Sequence, residues 1–202
     1  MHILFIGTPF LSMLPPYSPD SHTGISQSNS PQLYAIVSLM DILETVKARM
    51  LAYDKGAVKR NQHLLKVHSL SRLIGMGEGL SGHDLFVLET AALLHDIGIK
   101  PSMEKYGSSA GKYQEAEGPG PATELLQSLG YAEEDIGRVC KMIAHHHTYT
   151  GIDTLELQIL IEADFIVNLY EDGESLETVR NVERNIFRTR TGKQVLEDMF
   201  FA

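Results

Sequence analysis

Four places in the chain carry side chains that could act together on one bound ion: His63, the pair His95-Asp96, the run His145-His146-His147, and Asp164. Imidazole nitrogen and carboxylate oxygen are both good donors to a divalent metal. Each place also falls where the pattern predicts an apolar helix face or a helix end. His63 is in phase with Val67, Leu70 and Ile74, and His95 follows Leu85, Leu88 and Ala92 at helical spacing. Asp164 stands in the stripe Leu157, Leu160, Ile161, Val167, where an ionised carboxylate is costly unless paired or metal-bound. The expected cofactor is a divalent transition metal, with Mn, Fe, Co, Ni and Zn all suited to such donors. One ion per chain is expected, with donors to spare for a second.

Plainer explanations exist for each place taken singly. A histidine on an apolar face is often a hydrogen-bonded core residue. Three histidines at a helix C-terminus favour the dipole there, as Glu133, Glu134 and Asp135 do at the opposite end. Asp164 could pair with an arginine such as Arg138. The order His, His-Asp, His-His, Asp along successive core helices is what favours a metal over these.

The elements that must carry these residues read as all helical. Helices are expected at 32–53, 58–76, 83–96, 121–129, 132–147, 154–171, 174–188 and 192–200, with Gly130, Gly151, Gly173 and Gly192 punctuating the later ones. Gly98 and Pro101 stop the helix that delivers His95-Asp96. Between Gly98 and Pro121 a segment rich in Gly, Ser, Lys and Glu reads as a long loop. Residues 1–31 differ in composition, with five of the eight prolines, six serines and one charged residue, Asp20. They read as an irregular N-terminal extension, with a short strand at 2–6, ahead of a helical domain over 32–202.

The totals narrow the function. A chain of 202 residues and 22.4 kDa fits one domain with a full core. With 17 basic against 26 acidic residues, the formal charge of −9 argues against sequence-independent nucleic-acid binding. An anionic substrate would have to be small and met by a locally positive site. No apolar run approaches the roughly 18 residues of a membrane span, and the Met1–Ile6 run lacks a basic lead, which argues against a signal peptide. Cys140 is the single cysteine, in keeping with a reducing cytoplasm. The composition leaves the oligomeric state open, a homodimer included.

Taken with their neighbours, these residues resemble the HD-domain superfamily of metal-dependent phosphohydrolases, whose signature is His…His-Asp…Asp on a helical bundle. The match runs through Asn61-Gln62-His63-Leu64-Leu65-Lys66-Val67, through Ala91-Ala92-Leu93-Leu94-His95-Asp96-Ile97-Gly98, and through Glu162-Ala163-Asp164, and covers roughly residues 58–171. The resemblance implies an all-α, HD-domain-like bundle in which His63, His95, Asp96 and Asp164 hold the first metal. Members with two metals add a His-His pair and a further histidine between it and the His-Asp. His145-His146 matches the pair, and His145–Gly151 is similar to the cyclic-dinucleotide phosphodiesterase branch. No histidine lies between Asp96 and His145, so Glu115 or Glu117 is left to substitute, and Gly151 is followed by Ile152-Asp153 rather than the Tyr-Pro of that branch.

The activity implied is hydrolysis of a phosphate mono- or diester of a small molecule, a nucleotide first among them. The metal would activate water and polarise a phosphoryl oxygen, with Asp96 orienting that water or taking its proton. Lys100, Lys105 and Lys112 on the long loop could neutralise phosphate oxygens, with Glu117 beside them as a further substrate contact, or could be solvated loop residues. Lys100 stands one place later than the lysine of some branches, where this chain has Ile99. Two other readings stay open: a di-iron oxygenase of the same superfamily, and a sensor that binds metal and nucleotide without turnover.

Overall fold

The computed structural model describes residues 31–80 and 82–201, with the backbone alone for residues 31–40. The extension expected over 1–31 and its strand at 2–6 lie outside the described residues, apart from Pro31. By compactness the chain divides into Met1–Ala35 and Ile36–Ala202, and the packing below is that of the second unit. The described elements are α1 (Pro31–Tyr53), α2 (Val58–Gly77), α3 (Gly82–Leu94), α4 (Ile99–Tyr106), α5 (Gly111–Glu117), α6 (Pro119–Ser128), α7 (Glu133–Ile143), α8 (Leu155–Glu171), α9 (Leu176–Ile186) and α10 (Arg190–Phe200). No strand occurs among the described residues, so the expected all-α class is what forms.

The bundle is built around α3 and α8. Every residue from Leu85 to Leu94 is buried, as an all-round apolar helix requires. In α8 the run Leu157–Asp164 is buried throughout. Thr154 opens α8 by accepting the Leu157 amide through its hydroxyl, and Glu156 adds an acid in the first turn. α2 packs against both α3 and α8, α7 lies against α3, and α6 lies on α7. The N-terminus of α10 meets the buried side chain of Glu162. Fully buried Glu162 accepts from Arg188 N at 2.6 Å, from Thr189 N at 2.9 Å and from the Thr189 hydroxyl. Among the described residues no helix is long and apolar enough to cross a membrane.

Several expected bounds change. The helix expected over 83–96 ends at Leu94, so His95 and Asp96 lie in the turn beyond it. The segment expected to be a loop from Gly98 to Pro121 contains α4 and α5, and α6 starts two residues early with Pro119 in its first turn. Helices of eight and seven residues are too short to show a period, and Pro101 is tolerated because it falls in the first turn of α4. The helix expected to reach His147 ends at Ile143, leaving the three histidines in the turn beyond it.

Candidate metal centre

Three elements bring the first set of donors together: His63 from α2, His95 and Asp96 from the turn between α3 and α4, and Asp164 from the middle of α8. His63 Nε2 stands 3.0 Å from Asp164 Oδ1, 3.2 Å from His95 Nε2 and 3.7 Å from Asp96 Oδ2. His95 Nε2 is 3.6 Å from each of the two carboxylates. Donors about 2.1 Å from one shared ion stand roughly 3.0–3.4 Å apart; the His63–Asp164 and His63–His95 separations fall in that range, the other three are a few tenths of an ångström wider, and His63, His95 and Asp96 form one mutually close group. Arg138, the alternative partner for Asp164, is engaged by Asp84 and Glu156 instead.

The tautomers point the same way. His95 Nδ1 donates to Ala92 O at 2.9 Å, and His63 Nδ1 faces Glu171 Oε2 at 3.4 Å. His95 Nδ1 is thereby committed as the donor, so a neutral His95 turns its Nε2 lone pair toward His63 Nε2 at 3.2 Å. In the protein alone a proton can take that place. Burial works against charge on His95, yet Asp96 and Asp164 raise its pKa to about 9. Burial likewise works against ionised Asp96, and His95 and His146 nonetheless hold it down to about 2. Asp164, equally buried, is held well below the usual carboxylate range by His63 and His95.

A second group shares Asp96 and adds His146 and His147. His146 is fully buried, donates Nδ1 to Ile143 O at 2.7 Å, and aims Nε2 at Asp96 Oδ1 from 3.7 Å. That Nε2 has no hydrogen-bond partner in the protein, nor has His147 Nε2. Burial and the neighbouring His146 lower the His147 pKa to about 4, so its ring is neutral at pH 7 and has a lone pair to offer. Asp96 thus presents Oδ2 to the first group and Oδ1 to the second. Buried imidazole nitrogens without partners, facing ionised carboxylates, are donors that fit a divalent ion.

Not every expected residue joins them. His145 is exposed and turns Nδ1 back onto Lys141 O at 2.8 Å, so His147 stands in the cluster where His145 was expected. Glu115 Oε1 accepts from His147 N at 3.0 Å and from the Thr148 hydroxyl at 2.9 Å, fixing the histidine turn rather than entering the cluster. Glu117 is clasped by Lys105 Nζ and the Tyr106 hydroxyl, each at 2.8 Å. Lys100 lies over the Tyr53 ring at 4.9 Å and Lys112 over Tyr113 at 4.8 Å, and both are exposed. None of these last three lines the cavity beside the cluster, which measures about 670 Å³.

The residues that do line it include Lys59, Arg60, Gln114, Asn168 and Glu171, together with His63, Asp96, His147 and Asp164. Sequence reasoning passed over the first five. Asn168 and Glu171 did carry a signal, standing four and seven residues after Asp164 on the same face of α8. Asn168 Nδ2 donates to Asp164 Oδ1 at 2.9 Å, and Glu171 joins His63 to Lys66. His68 and His83 pair with Glu89 and Asp135, away from the cluster.

A family model described as HD domain matches residues 60–169. A search of curated proteins found no match. Among solved structures, the chain is similar to a predicted HD superfamily hydrolase from an uncultured Thermotogales bacterium, at 24% identity over 82% of this chain and 89% of that one, with a TM-score of 0.55. It is also similar to selenomethionine-labelled YpgQ of Bacillus subtilis, at 18% identity over 80% of this chain and 87% of that one, again with a TM-score of 0.55. At these identities the likeness is one of fold.

Proposed function

The chain belongs to the HD-domain family, and on that premise we propose that it is a metal-dependent phosphohydrolase acting on a phosphate ester of a small molecule, with nucleotides the leading class. The observation that carries the reading is the convergence of the His63, His95 and Asp96 donors, with Asp164 against both imidazoles, at a cavity of about 670 Å³ that His63, Asp96 and Asp164 line. Small-molecule sites are ordinarily about 300–1,000 Å³, so the volume suits a nucleotide-sized ester. A divalent ion bound there supplies Lewis acidity to a phosphoryl oxygen and lowers the pKa of a bound water.

The chain's own residues supply the rest. Asp96 lines the cavity and is ionised at neutral pH, so it can accept a hydrogen bond from a water and hold it toward the phosphorus. His147, neutral and on the same wall, keeps an Nε2 lone pair with which to accept a hydrogen bond or hold an ion beside Asp96. Lys59, in the first turn of α2, lines the cavity with its charge unpaired among the described residues and can meet a phosphate oxygen. Arg60 beside it is held by a two-point contact to Asp54, both bonds 2.6 Å, which positions rather than frees its charge.

Phosphate release from a panel of nucleotides and sugar phosphates, with Mn, Fe, Co, Ni or Zn added in turn, tests the proposal. Release with at least one metal is expected, falling more than about 100-fold in Asp96→Asn. Zero turnover of every ester with every metal would remove the hydrolase reading.

A further inference from the structure

Gln114 lines the cavity, yet its side chain is not satisfied there. The residue is 7% exposed, and its Oε1 is buried with no hydrogen-bond partner in the protein. Its Nε2 donates to Ser109 O at 2.7 Å, and Ser109 lines the same cavity. That bond decides which way round the amide lies. A backbone carbonyl only accepts, so the NH₂ must face Ser109 and the carbonyl end is left as an open acceptor. The backbone is equally fixed. Gln114 O accepts from Gly118 N at 2.8 Å and packs so closely on Gly98, two residues past Asp96, that a Cβ there would lie 2.4 Å from it. A buried acceptor held this firmly and left unpaired within the protein calls for an explanation, and a donor on a molecule seated in the cavity that Gln114 lines supplies one.

We infer that Gln114 is a specificity-determining residue whose side-chain carbonyl reads a hydrogen-bond donor, hydroxyl or ammonium, on the organic part of the phosphate ester. The inference rests on the phosphate-ester reading above. A phosphate dianion carries acceptors only and belongs with the metal ligands and Lys59, so the donor that Gln114 needs must lie elsewhere on the molecule. The substrate class is therefore a sugar, nucleoside or aminoalkyl phosphate rather than a plain alkyl or aryl phosphate. An ester without the donor is rejected because binding it leaves the carbonyl unpaired.

The test uses the full chain saturated with manganese and three probes: ribose 5-phosphate (hydroxyl donors), O-phosphoethanolamine (ammonium donor) and phenyl phosphate (no donor). Dissociation constants are measured by equilibrium dialysis for the wild type, Gln114→Met and Gln114→Glu, with phosphate release followed in parallel. The wild type should bind one donor-bearing ester about tenfold or more tighter than phenyl phosphate. Gln114→Met should erase that preference while keeping phenyl phosphate within about twofold, and the ester that loses more identifies hydroxyl or ammonium as the donor. Gln114→Glu, with a carboxylate in the same place, should shift preference toward phosphoethanolamine, a gain that misfolding cannot produce. No preference in the wild type, or equal changes for all three probes in Gln114→Met, overturns the inference. A Gln114-dependent preference without phosphate release would keep Gln114 and remove hydrolysis. Release that is indifferent to Gln114 would remove this inference alone.

Discussion

His95 is the residue where charge, burial and ligation meet. Its pKa of about 9, against an ordinary 6.5, means that the metal-free protein keeps a proton on this ring at neutral pH. The sign follows from the direction of that shift. The stability contributed by protonated His95 is fully present below about 6.5 and is lost as pH rises through about 9. A metal ion needs the neutral ring, so below about pH 9 each ion bound must displace one proton from His95. Affinity for Mn or Zn should therefore rise about tenfold per pH unit from roughly 7 to 9 and then level. His147, already neutral because burial and His146 lower its pKa to about 4, adds no proton release over that range. Competition against a chromophoric chelator measures the slope. A flat profile between pH 7 and 9 would mean that His95 is not a ligand.

At the scale of elements, close packing of the short helices onto the turn that carries Asp96 sets the site. A Cβ at Gly98 would stand 2.4 Å from Gln114 O and 2.9 Å from Gly118 N, both backbone atoms with no rotamer to relieve them. Gly98→Ala should cost about 1–3 kcal/mol and weaken metal binding, because α5 must move off the turn. Gly137→Ala, on the exposed side of α7 with nothing within 4 Å, should instead gain up to about 1 kcal/mol. Thermal melts of the two variants give the comparison, and equal melting temperatures would refute it. The same packing explains what the sequence made legible. α2, α3 and α8 are long, with apolar residues at helical spacing or on every side, and their composition shows this directly. α4 and α5 are ordered by contacts with residues distant in sequence, which no local pattern records. The end of α7 is hidden for a related reason. The run from Lys141 to Ala144 has ordinary helix formers, and the helix stops where His145 and His146 turn their Nδ1 atoms onto its last carbonyls.

For the whole molecule, the candidate centre is a clasp joining α2, the α3–α4 turn and α8. His63, His95-Asp96 and Asp164 were recognisable because each is a polar residue set in an apolar stripe, an anomaly that a sequence displays. Lys59, Arg60 and Gln114 show no such anomaly, since charged and amide side chains on helices are ordinary until the fold brings them to one cavity. His147 was obscured differently: three adjacent histidines cannot be told apart until the backbone direction past Ile143 is known. A clasp of this kind couples metal binding to global stability, because the donors come together only in the folded chain. Free metal at 100 times its dissociation constant should stabilise the fold by about 2.7 kcal/mol. At about 2–4 °C per kcal/mol for a domain of this size, the melting temperature should rise by roughly 5–11 °C. EDTA should reverse the rise. His63→Ala and Asp164→Asn remove donors from two different helices, so each should abolish most of it, whereas His145→Ala, exposed and turned away, should leave it intact. A melting temperature indifferent to metal in the wild type, or a His145→Ala variant that loses the response while His63→Ala keeps it, would place the ion somewhere other than this cluster.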